Sequence, residues 1–76
     1  MTEGTKPELL IDLVTKTMPY GKYRGVLFYK LPVYYLEWFH RKGFPKDKTG
    51  QLLETLFEIK LKGLDYLLEK IKSEIS

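Results

Sequence analysis

The chain contains no cysteine, which excludes a thiol nucleophile, a disulfide staple and any zinc site with thiolate ligands. Its single histidine, His40, makes a poor metal ligand without a second imidazole or thiolate, and at the end of a helix it is favoured by the dipole instead. Charges interrupt every apolar run, so none approaches the ~20 residues of a membrane-spanning helix. The start, MTEGTKPELLIDL, lacks the basic head and apolar stretch of a secretory signal. These absences read as a soluble, cytoplasmic protein with no membrane partner. No nucleophile stands with a base and no carboxylate cluster suits two-metal chemistry. Glu54 and Glu58 lie one turn apart on a helix, but such pairs are usually solvated, and Glu58 is spaced to pair with Lys62. No enzyme and no cofactor are expected.

The 76 residues make one domain, which buries only about 60% of the surface its unfolded chain exposes. With so thin a core and no disulfide, well-packed helices or oligomerisation must supply stability, and a weak homodimer is one expectation. The net charge of +3 conceals a concentration of basic residues in the centre. Between positions 16 and 48 stand Lys16, Lys22, Arg24, Lys30, Arg41, Lys42, Lys46 and Lys48, against only Glu37 and Asp47. Nine of the eleven aromatics, from Tyr20 to Phe44, share that window. Cations interleaved with flat rings suit single-stranded nucleic acid, whose phosphates need neutralising and whose bases stack. An ordinary small domain with an aromatic core and solvated lysines has the same composition, and both readings stay open.

Hydrophobic spacing predicts the elements in order. Pro7 and Glu8 open a helix carrying Leu9, Leu10, Leu13 and Val14 on one face, running to Thr15 or Lys16. Residues 1–6 are expected to be disordered. From Thr17 to Leu31, the glycines at 21 and 25 followed by VLFYKL predict a β-hairpin whose strand turns Leu27 and Leu31 to the core. Pro32 begins a second helix and Gly43 ends it, with Leu36, Phe39 and Trp38 expected to contribute to the core and Tyr23 left exposed in its turn. A long amphipathic helix from about Thr49 to Ile71 follows, its stripe of Leu53, Phe57, Leu64 and Leu68 keeping phase across Gly63. The predicted fold is α+β: helix, β-hairpin, helix, and a long C-terminal helix packed over the hairpin.

The turn YGKYRG is the most site-like feature. Its glycines let a ligand approach the backbone, and Lys22 and Arg24, two apart, can project to one side and hold a phosphate. A solvated turn whose charges protect a sheet edge explains it equally. The glycine spacing is not that of a P-loop. Tyr23 supplies a ring between the two cations, and Lys42, Lys46 and Lys48 would join if their loop folds back toward the turn. Lys60 interrupts the apolar stripe of the last helix. It could snorkel, pair with an acid such as Glu37, lie over a tyrosine, or serve a function.

The ordered landmarks MPYGKYRG, LP, YYLEWF, KGFPK and EIKLKGLDYLL resemble a family of small bacterial proteins of unknown function (DUF3820), named putative quorum-sensing-regulated virulence factor, over residues 9–68. Tyr20 and Lys62 depart from the pattern where phenylalanine and asparagine are usual. YGKYRG followed by LPVYYLEWF also resembles the appendage that follows the nuclease domain of some exonuclease X-like proteins. That resemblance implies a nucleic-acid-associated, nuclease-accessory role without hydrolysis. A protein-interaction module with no nucleic-acid role is the alternative.

Overall fold

The computed structural model describes residues 7–75, and the expectation of disorder at 1–6 lies outside them. The first helix, α1, spans Pro7–Thr15 and buries Leu9, Leu13 and Val14, as its spacing predicts. At its exit the Lys16 amide donates to the Asp12 carbonyl at 2.8 Å.

The β-hairpin does not form. Among the described residues the only pairing outside helices is one isolated antiparallel bridge between Thr17 and Leu27. Three physical causes prevent a ladder. The next rung needs the Val26 amide to donate to the Met18 carbonyl, but that carbonyl accepts from the Gly25 amide and Val26 donates within its own turn. Gly21 and Gly25 both take positive φ, +84° and +87°, which lets the chain curl through consecutive turns closed by Arg24 N–H to Gly21 C=O and Val26 N–H to Tyr23 C=O. The β-prone run then leaves extended geometry at once, entering a 3-10 turn at Phe28–Lys30 that buries Phe28 and Tyr29. Leu31 is buried as expected, whereas Leu27 is only half-buried. Phe28 takes the central place that strand alternation would have denied it.

Helix α2 spans Val33–Lys42, with Pro32 at its N-cap, and its last turn carries His40, Arg41 and Lys42 beside the negative end of the dipole. Gly43, at φ +103°, stops it by donating to the Phe39 carbonyl. Leu36 and Phe39 are buried, but Trp38 is 47% exposed, which overturns its expected place in the core. Helix α3, Lys48–Leu61, is capped by Asp47, whose carboxylate accepts from the Gly50 amide at 3.1 Å.

The expected long last helix is two helices. Gly63 takes φ +69°; its amide donates to the Lys60 carbonyl and the Leu64 amide to the Ile59 carbonyl, at 3.1 and 3.0 Å. That pair of bonds is a glycine C-cap, which terminates a helix and satisfies its last carbonyls. Helix α4 then runs over Tyr66–Ile75 and buries Leu68. It packs on α1, not over a hairpin, while α2 lies on α3 and the 3-10 turn fills the space between α1 and α3. The described residues are therefore all-helical, and the α+β class does not hold.

Candidate functional site

The positive-φ turn and α2 together enclose a groove of about 650 Å³. One wall is Tyr20, Gly21 and Lys22; the other is the outer face of α2, where Tyr34, Trp38 and Arg41 recur at helical spacing with Glu37 between them. Tyr20, Tyr34 and Trp38 are 44%, 57% and 47% exposed. The large exposed rings of one surface thus converge here with two cations and one carboxylate.

An aromatic underlayer holds the groove. Tyr23 meets Tyr35 edge-on at 4.6 Å, Tyr35 meets Phe39 at 5.1 Å, and Trp38 meets Phe39 at 5.1 Å. Edge-to-face pairs of this kind fix ring orientation and contribute ~0.5–1.5 kcal/mol each beyond area burial. The hydroxyls of Tyr23 and Tyr34 hydrogen-bond each other across the groove's edge. The Lys22 ammonium stands 5.6 Å from the Tyr23 ring centre and 6.0 Å from that of Tyr34, within cation–π range. Gly21 is required at its place, since a Cβ there would stand 3.0 Å from the Tyr35 hydroxyl on a backbone already at positive φ.

Tyr23 and Tyr35 hold their protons more tightly than a free phenol. The hydrogen bond from Tyr34 raises the pKa of Tyr23, aided by desolvation and the neighbouring phenols. Burial raises that of Tyr35, with a smaller contribution from Tyr20. The positive charge of the groove comes from Lys22 and Arg41.

Of the six residues that the sequence marks as a nucleic-acid surface, the structure brings Lys22 into the groove. Tyr23 is half-buried beneath it, not free in the turn. Arg24 is exposed on the same turn, and Lys42 is exposed at the end of α2. Lys46 lines a separate shallow depression with Phe44, Pro45 and Glu54. Lys48 pairs with Asp12 at 3.1 Å, tying α3 to α1. Lys60 sits in the last turn of α3, where the dipole favours a cation, and its ammonium lies 4.0 Å from the Asp65 carboxylate just past the Gly63 cap, not beside Glu37.

Sequence reasoning missed Tyr20, Tyr34, Trp38 and Arg41. The signal was present in YYLEWFHR: a helix that buries Leu36 and Phe39 must present the residues at 34, 38 and 41 on its other side. His40 packs on Phe57 at 4.9 Å and Phe44 at 6.1 Å. Among the described residues no cluster of three or more metal-ligating side chains occurs, and no helix is long and apolar enough to cross a membrane.

No solved structure matches the chain. Two curated relatives do: the uncharacterized protein YpeB of Escherichia coli K12 and the protein of the same name from Escherichia coli O157:H7. Each is 42% identical over 66 residues, covering 86% of this chain and 92% of the relative. A family model described as "Putative quorum-sensing-regulated virulence factor" matches residues 6–71. With nearly the whole length matched by that model and by relatives of similar size, the chain belongs to this family.

Proposed function

We propose that this chain is a non-catalytic, cytoplasmic module that binds single-stranded nucleic acid, alone or as the accessory of a nuclease, in the groove between the Tyr20–Lys22 turn and α2. The observation that carries this reading is the convergence of exposed Tyr20, Tyr34 and Trp38 with Lys22 and Arg41 in one groove. Bases stack on exposed rings whatever their sequence, at ~1–3 kcal/mol per base, while cations beside them neutralise phosphates. Tyr34 and Trp38 lie one helical turn apart, so two rings follow each other along α2. Glu37 disfavours a phosphate at its own position and leaves a hydrogen-bond acceptor for a base amino group.

The test uses Trp38, the chain's single tryptophan, as a built-in reporter. A stacking base should quench its fluorescence when an oligothymidine is titrated in. Trp38→Phe should retain binding when a labelled oligonucleotide is used, whereas Trp38→Ala should lose ~1–3 kcal/mol. Removing Lys22 and Arg41 should each lower the slope of log affinity against log salt by ~0.7, and Lys48→Ala should leave it unchanged. Binding weaker than ~10⁻⁴ M at low salt, below ordinary nonspecific affinity, would overturn the reading.

A further inference from the structure

A second surface shares no residue with that groove. The Gly63 cap swings α4 back onto α1, and between α1, the end of α3 and α4 lies a cleft of about 350 Å³ lined by Leu10, Ile59, Leu64, Leu67 and Ile71 over buried Leu68. Among the described residues its charged lining residues are Lys70 and Glu74, one turn apart on α4. Leu67 and Ile75, 41% and 47% exposed, continue the apolar face along the helix. We propose that this cleft is the contact between two copies of the chain, with the two α4 helices packed antiparallel about a two-fold axis.

The charges select both the occupant and its direction. A two-fold interface uses one patch twice, so that residue i meets residue j and j meets i. Antiparallel α4 helices crossing near Lys72 set Lys70 against the partner's Glu74 and Glu74 against the partner's Lys70. A parallel pairing would set like against like. The helix thus carries its own electrostatic complement on the rim of its apolar seam, as exposed single-sign surfaces do not. A ten-residue helix is only ~15 Å long and its seam falls short of the ~800 Å² per partner of a standard interface. The dimer is accordingly weak, forming between micromolar and millimolar concentration.

Sedimentation equilibrium of the full chain across that range tests the proposal. Leu67→Lys should weaken association at least about tenfold by placing a charge in the seam. The single substitutions Lys70→Glu and Glu74→Lys should each weaken self-association, because each sets like charges across the axis. Mixing the two variants should restore it, since the mixed pair is complementary between chains although the pair within each chain stays broken. Circular dichroism on every variant confirms that it is folded. A constant monomer mass to millimolar concentration overturns the proposal, as does a dimer that Leu67→Lys and both charge substitutions leave intact. Dimerisation without rescue on mixing also overturns the antiparallel arrangement.

Discussion

Tyr23 and Tyr35 both have pKa values raised above the usual tyrosine value of about 10, the first chiefly through the Tyr34 hydroxyl and the second chiefly through burial. A folded-state pKa above the unfolded one means that the unfolded chain releases its proton first as pH rises. The stability these groups contribute is therefore complete below about pH 10 and is lost as pH climbs through their folded values. Ultraviolet titration of the native protein should show a set of phenols ionising later than in the denatured chain. Stability followed by urea denaturation should fall over the same alkaline range, and Tyr23→Phe should remove that residue's share of the fall while leaving the Tyr35 share in place. Coincident native and denatured titrations would contradict this account.

At the scale of elements, Gly50 decides how α3 begins. Helix propensity alone favours Gly50→Ala by roughly 0.5–1 kcal/mol, because glycine costs more backbone entropy. Geometry opposes it, since a Cβ on Gly50 would stand 1.7 Å from the Pro45 carbonyl oxygen. Backbone cannot yield as a flexible side chain does, so the clash wins and Gly50→Ala should cost about 3 kcal/mol or more, at the top of the overpacking range. Chemical denaturation gives the sign directly, and a stabilised variant would show that the connection from Gly43 to Asp47 is free to move. Neither Gly50's role nor the hairpin's absence was legible from local pattern. VLFYKL has strand composition, but a strand also needs a partner, and the turns through positive-φ Gly21 and Gly25 draw off the amides that would have continued the pairing. The helix break was legible in part. The apolar stripe keeps phase across Gly63 because α4 resumes nearly a turn later, but Lys-Gly-Leu-Asp is also the pattern of a glycine cap followed by a new start. Helices α1 and α2 were read correctly to within a residue or two, because Pro7, Pro32 and Gly43 mark their ends. Of the groove, the sequence disclosed the turn and Lys22. The α2 wall escaped because Trp38, on the flank of the Leu36 and Phe39 face, was expected to join the core through its helix, whereas it lies on the outer side at 47% exposure.

At the scale of the whole molecule, the aromatic groove and the α4 cleft share no residue, so a substitution that removes one proposed contact should leave the other intact. The packing of α1 against α4 also bears on how quickly the chain finds its fold. Helices and their adjacent contacts form locally and fast, whereas joining α1 to α4 closes a loop of about fifty residues and must wait on the largest entropy loss in the structure. A circular permutant that links the two ends with a short flexible segment and opens the chain at Gly63 would turn that pair into a neighbouring helical hairpin. Shrinking the loop from about fifty to about ten residues saves roughly 1.4 kcal/mol of closure entropy, close to tenfold in rate if the contact forms in the transition state. Stopped-flow refolding of the permutant should be faster by up to that factor even though it loses the two cap bonds at Gly63, and an unchanged rate would place the α1–α4 contact after the barrier. A permutant that refolds faster would show that the meeting of α1 and α4 sets the tempo of folding.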